Sequence, residues 1–528
     1  MLRQRSAGIL TPAILFAIVG YNAAAQIVYV DDSAIFSEDG STWCHAYRNL
    51  QDALSVARDS GGDIHEIRVA AGVYKPDQGA DQTSDDRTAT FQLVNGVSIK
   101  GGYAGCTAHN PDDRDTSIYE SVLSGDLVGD DVGDRSDPSR RENSYHIVAG
   151  SGADSSAQLD GFVILSGRAD GADPHQSGAG LFNDNGSPTL IDCTFAGCWA
   201  YLYGGGIYNT NHSNPTLIRC TFRHNSGDYG GGMANDNSSG PSVSDCTFAA
   251  NTAGNHGGGV YNASDEPPSL ANCQFVRNAA YYSGGGMYNT DGTAPILFNC
   301  LFSENTARNG AGICDISAAS KLRNCTLADN TARLGGGGMY SDGPIPRFTN
   351  CIAWGNADSS GTGELAQIRR IDGTSPIVDH CCIQGWSGAW GGTGNIGDDP
   401  LFVPGPAGCS YLSHIQAGQA VDSPCIDAGA GTSAGAGLDT LTTRSSEGVD
   451  TDATDMGFHY PVTGRSLVMG DYDRNGVLDL ADFSSWADCM TGPWTAGVPS
   501  CCLVLDFDSD RDIDTLDFAS LQAVFTAP

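Results

Sequence analysis

The chain is poor in positive charge. Its 528 residues hold 27 Lys and Arg against 62 Asp and Glu, a formal net charge of −35. Phosphate recognition needs clustered Lys and Arg, so nucleic acid and anionic lipid are excluded as expected partners. Long apolar runs are missing after the first 25 residues, so no later stretch is expected to span a bilayer. Residues 1–25, MLRQRSAGILTPAILFAIVGYNAAA, have a basic start, an apolar stretch and small residues before Gln26. That order predicts a secretory signal peptide cleaved after Ala25, and an extracellular or cell-surface protein. The eleven His form no HExxH or HxH, so the helical zinc-protease spacing is absent. Helical repeats are excluded by composition: the central region is punctuated by glycine clusters, and each Gly in a helix interior costs about 1 kcal/mol against Ala.

What the chain does have is a repeat. Cysteines fall at 193, 220, 246, 273, 300, 325 and 351, in steps of 27, 26, 27, 27, 25 and 26. Around them recur CTFAGC…GGGIYN, CTFRHN…GGGMAN, CTFAAN…GGGVYN, CQFVRN…GGGMYN, CLFSEN…GAGICD, CTLADN…GGGGMYSD and CIAWGN. A constant period of this size marks a solenoid in which each unit is one coil, unable to bury its apolar face alone. Short strands between glycine and asparagine turns are expected.

Aligned on the cysteine, each coil has an apolar residue three positions before it, from Leu190 and Leu217 to Phe348. Two positions after it stand Phe195, Phe222, Phe248, Phe275 and Phe302, then Leu327 and Ala353. Cys and Phe share a strand face, whereas the position three before has the wrong parity, so the chain must bend between them. The residue just before each cysteine is a polar corner. After the glycines, Ile207, Met233, Val260, Met287, Ile313 and Met339 point inward. Two Asn ladders follow, one five residues after each cysteine (Asn225 to Asn356) and one three after the glycines (Asn209, Asn235, Asn262, Asn289). They are read as structural, an Asn at a turn tolerating left-handed backbone and bonding its neighbours above and below.

The FxxN and GG-apolar pair resembles the repeats of bacterial polymorphic outer-membrane proteins, a right-handed parallel β-helix of the pectin-lyase-like type. YVDDSA…STWCHAYRNLQDALSVAR…IRVAAGVYKP and DSPCIDAG…TDMGFHY resemble the ends of secreted bacterial β-helix proteins. The resemblance spans roughly residues 27–460. It implies an all-β, right-handed parallel β-helix solenoid of about 26 residues per coil. The expected organisation is a signal peptide (1–25), an N-terminal cap and irregular first coils (26–158), β-helix repeats (159–430), a closing segment and linker (431–467) and a C-terminal module (468–528). Asn49–Arg58 is expected to be a helix capping the first coil. The acidic segment 126–137 reads as a solvated loop, with a cation site as the alternative. Stacked ladder cysteines have Cβ atoms about 4.8 Å apart, too far for a disulfide, so buried thiols are expected there. Cys489 with Cys501 or Cys502 is the better disulfide candidate. Cys381 or Cys382 with Cys409 or Cys425 is a second.

The C-terminal module carries two 12-residue calcium-loop patterns. In the first, Asp471, Asp473, Asn475, Asp479 and Asp482 occupy positions 1, 3, 5, 9 and 12, Gly476 makes the turn and Val477 offers its carbonyl. In the second, Asp506, Asp508, Asp510, Asp512, Asp514 and Asp517 repeat the positions, with Arg511 where glycine is expected. Closure by Asp, with a helical pattern only after each loop, resembles type I dockerin modules. That resemblance implies calcium, a small α-helical fold and a cohesin-like protein partner. Loop positions 10 and 11 are Leu480–Ala481 and Thr515–Leu516, which depart from the small hydroxyl pairs usual there.

Pectin-lyase-like enzymes resemble one another in clustered calcium-binding Asp with an Arg base, or in paired Asp with G-H-G and R-I-K, and none of those sets is present. NHGGG at 255–259 and SIKGG at 98–102 lack their companions. One outward column remains: two after the last glycine of each cluster stand Phe182, Tyr208, Tyr261, Tyr288 and Tyr340, interrupted by Ala234 and Cys314. Stacked outward rings can take sugar faces or pair to stabilise the sheet. The expected function is a non-catalytic adhesion or polysaccharide-binding protein with a calcium-dependent docking module. The alternative is an extracellular polysaccharide lyase or glycoside hydrolase of the pectin-lyase-like fold.

Overall fold

The structure is a computed structural model that describes residues 26–132 and 137–464, together with Leu505 and Asp517. The signal-peptide reading, both calcium loops apart from Asp517, and Cys489, Cys501 and Cys502 lie outside the described residues.

The chain winds into a parallel β-helix. Among the described residues it has four parallel sheets of twelve, eleven, seven and ten strands, the seven-stranded one confined to residues 168–335. One coil visits them in turn through Thr189–Ile191, Thr194–Ala196, Trp199–Ala200 and Ile207–Thr210. Identical positions stack in register, Leu190 on Leu217 on Val243 and Phe195 on Phe222 on Phe248. The expected bend before each cysteine is a single left-handed residue: Asp192, Arg219, Asp245, Asn272, Asn299, Asn324 and Asn350 have φ between 49° and 56°. A left-handed residue reverses the parity of the strand, so the apolar residue two before each corner and the cysteine just after it both turn inward. A second such corner, at His224, Ala250, Arg277, Glu304 and Asp329, lies just before each ladder Asn. This corrects the expectation that the Asn itself is left-handed. The residue before it takes the strained backbone, and the Asn side chain is thereby aimed into the coil.

Burial inside the solenoid obliges polar groups to pair, and the two Asn ladders do so rung by rung. Asn251 donates through Nδ2 to Phe222 O (2.9 Å) and Asn278 Oδ1 (3.0 Å), and its Oδ1 accepts from the Asn225 amide (3.0 Å). Gln367 supplies the last rung, accepting from Asn356 Nδ2 at 2.7 Å. In the second ladder each Nδ2 donates to the next Oδ1 from Asn183 to Asn289. It ends at Asp315, which can only accept and takes hydrogen bonds from Asn289 and Ser320. The ladder cysteines are free and buried, as expected; burial pushes the Cys193 and Cys220 thiols up.

The ends are capped differently. The helix Leu50–Asp59 lays Leu50, Ala53, Leu54 and Ala57 over the first coil, and a disulfide that the sequence reading did not foresee joins Cys44 to Cys106. The expected pairing of Cys381 or Cys382 with Cys409 or Cys425 is not formed: Cys381, Cys382 and Cys425 are free, whereas Cys409 is disulfide-bonded. Cys382 and Cys425 instead pack as small hydrophobes beside Ile352, Leu412 and Met456.

After an antiparallel hairpin at Phe402–Leu412, residues 425–460 return along the outside of the coils as a strap over the polar corners. Asn350 donates to Ala430 O and accepts from the Ala430 amide, Asn324 donates to Asp455 O, and Asn299 exchanges two hydrogen bonds with His459. The strap holds a buried acid pair. The Asp455 carboxyl is pushed from 3.8 up to about 6 by burial and by Asp450. Burial also raises Asp450, but hydrogen bonds from His459, Ser433 and the Asp455 amide outweigh it and hold its carboxyl low. A raised native carboxyl binds its proton more tightly than the unfolded chain does, so stability falls as pH rises from about 4 to about 6 and stays low above that. Asp450 acts with the opposite sign, losing its contribution as pH falls below the usual carboxylate range. Asp455→Asn is therefore expected to match the parent near pH 4 and to exceed it at pH 8 by roughly 2–3 kcal/mol, measured by denaturant unfolding at both pH values. A parent advantage at pH 8 would contradict the assignment.

Candidate functional site

The outer face of the seven-stranded sheet is a groove. In these short strands every second residue points outward, and the outward column runs Arg168, Trp199, Ser226, Thr252, Ala279. Two residues further along each coil stand Tyr201, Asp228, Gly254 and Tyr281. Tyr201 and Tyr281 are three rungs apart, about 14 Å at the strand spacing, and are 56% and 65% exposed. Between them the floor is made of small residues, Ser226, Gly227, Thr252, Ala253 and Gly254, enclosing about 560 Å³. A second hollow of about 440 Å³ continues past Tyr281 over Ala279, Ala280, Thr306 and Ala307 to Arg333. Gly254 keeps the floor open: a Cβ there would collide with the Asp228 carboxylate.

One end of the groove is fixed by charge. The Arg168 guanidinium lies 4.6 Å over the Trp199 ring and its Nε donates to Asp170 at 2.7 Å. Arg87 donates to the other oxygen of Asp170 at 2.6 Å. Burial raises the Asp170 carboxyl, but the hydrogen bonds from Arg168 and Arg87 outweigh it, so it stays below the usual carboxylate range. The resulting surface offers flat apolar rings, a cation and hydroxyls, the mix that takes an extended polar chain with apolar faces.

The aromatic column expected to bind ligand sits elsewhere. Phe182, Tyr208, Tyr261, Tyr288 and Tyr340 lie in register on the ten-stranded sheet, with their backbone parity outward. A second column on the preceding turn, Tyr203, Tyr229 and His256, covers them. Tyr203 stacks on Tyr208 at 5.3 Å, Tyr229 packs on Tyr261 at 5.1 Å and His256 lies 4.3 Å from Tyr288. Tyr208 is 9% exposed and donates its hydroxyl to Asp236 at 2.7 Å. Burial pushes the Tyr288 hydroxyl up to about 12 and the His256 imidazole down. Much of the ring surface in this column is turned to other rings rather than to solvent. The histidine of NHGGG thus belongs to an aromatic stack. Of the twelve expected metal ligands, Asp517 is buried and the other eleven lie outside the described residues.

The groove residues were missed because their signal is weak. Trp199, Tyr201 and Tyr281 occur in only two coils, so they form no ladder in the repeat alignment; their irregularity was the available clue.

One family match agrees with this winding. The family described as "Right handed beta helix region" matches residues 154–306. The chain is a β-helix repeat protein. No curated protein matches its sequence. Among solved structures similar to it is the Dettilon tailspike protein, at 10% identity and a TM-score of 0.27, covering 67% of this chain and 68% of that one. No described helix is long and apolar enough to cross a membrane.

Proposed function

We propose that this β-helix protein is an extracellular, non-catalytic glycan-binding protein, and that the groove of the seven-stranded sheet holds a polysaccharide chain lengthwise. The observation that carries the reading is the pair of exposed tyrosines three rungs apart over a floor of small residues. Rings so placed stack on sugar faces while Ser226, Thr252, Asp228 and Arg168 meet hydroxyls or acidic groups. We further propose that residues 1–25 direct export and that the loops 471–482 and 506–517 bind calcium in a small docking module with a cohesin-like partner. The support for both is their sequence pattern.

The test is a polysaccharide array probed with the full chain, scored for bound protein and for released product. Tyr201→Ala with Tyr281→Ala is expected to weaken binding about tenfold or more, each ring contributing on the order of 1 kcal/mol. Both side chains are exposed, so stability should change by less than about 0.5 kcal/mol. Binding that survives the double substitution would displace the site from this groove. Product release would favour a lyase or hydrolase.

A further inference from the structure

The acidic loop that follows the strand Ser121–Ser124 meets the short helical turn Pro138–Glu142. There, carboxylate oxygens of Asp126, Asp130 and Glu142 all lie within 4.8 Å of one another. The loop backbone winds round Asp126, which accepts from the amides of Gly129, Asp130 and Asp131. That explains Asp126 as a turn former but not why Glu142 is brought against it. Burial and the neighbouring Asp126 and Asp130 push the Glu142 carboxyl up. Of the nearby cations, Lys75 Nζ donates to Leu127 O, whereas Arg140 stands 3.6 Å from Asp131 with its buried Nε unpaired.

A separate observation comes from Asn143. It is 1% exposed, and its Nδ2 donates to Asp131 Oδ2 at 3.1 Å and to Ser166 O at 2.7 Å. Both partners only accept, so the amide cannot be turned round. Its Oδ1 is held beside the acidic loop with no donor, as are Asp131 Oδ1 and Glu142 Oε1. Three buried oxygens that lack a donor, next to three clustered carboxylates, are what a hard cation satisfies and what water-excluded protein otherwise avoids.

We propose that Asp126, Asp130, Glu142 and Asn143 bind a calcium ion in the first coils, independently of the C-terminal loops. The ligands are all oxygen, which suits calcium and not zinc. The carboxylate oxygens of Asp126, Asp130 and Glu142 lie close enough together, within 4.8 Å, for one ion at about 2.4 Å from each to bridge them. Water completes the shell.

The test is hydrogen exchange by mass spectrometry on the full chain in calcium chloride and in chelator, with Glu142→Gln alongside. Peptide readout separates residues 121–147 from the C-terminal loops. At calcium about tenfold above the dissociation constant, exchange through 126–143 should slow about tenfold, and Glu142→Gln should remove that difference while leaving exchange in the coils around Phe195 unchanged. Equal exchange in calcium and chelator across 121–147 of the parent would overturn the site, whatever the variant does. An undiminished calcium effect in Glu142→Gln would overturn the ligand assignment.

Discussion

Asn251→Ala is expected to destabilise the solenoid by roughly 2–6 kcal/mol. Its side chain accepts from the Asn225 amide and donates to the Phe222 carbonyl, and both lie in fully buried coils. Each orphaned buried group costs about 1–3 kcal/mol. Asn251→Asp is expected to be no better, because a carboxylate cannot donate to Phe222 O or Asn278 Oδ1. Asp315 is tolerated in the other ladder only because it is a terminus, supplied by Ser320. The check is hydrogen exchange of coils 193–300 with a denaturant titration. Exchange should rise first in the two coils flanking residue 251, since a solenoid couples each repeat mainly to its neighbours. Unchanged exchange there would mean that the ladder is dispensable.

Phe248→Ala is expected to cost about 3–5 kcal/mol. The ring is fully buried between Phe222, at a centroid distance of 4.6 Å, and Phe275 at 4.8 Å, in planes 4° from parallel. Truncation leaves a cavity that the in-register backbone cannot close without slipping two coils. Phe248→Leu should recover about half of the loss, because Leu327 already fills this column further along. A denaturation midpoint for Phe248→Ala equal to that of the parent would show that the column is not carrying stability.

These two ladders were legible before any coordinates, because a solenoid writes its core into sequence at constant spacing. Leu190, Phe195, Ile207 and their equivalents repeat, and all point inward. The helix over the first coil was equally plain from the apolar spacing of Leu50, Leu54 and Ala57. Cys44–Cys106 was not, since a disulfide between two unrepeated cysteines 62 residues apart has no period to betray it. The groove escaped for the same reason: Tyr201 and Tyr281 are exceptions to the repeat, whereas the regular Phe182-to-Tyr340 column drew attention and is largely stacked against its own neighbours.

By itself, the sequence determined the parallel winding, the coil length of about 26 residues, the inward columns and the reduced state of the ladder cysteines. Each of these follows from local chemistry repeated at one period. Tertiary structure alone decided which outward rings remain exposed, how Asn299, Asn324 and Asn350 are covered by a strap more than 75 residues further along the chain, and that Glu142 meets Asp126 and Asp130. Those depend on residues that do not recur from coil to coil, and only the folded backbone brings them within reach of one another.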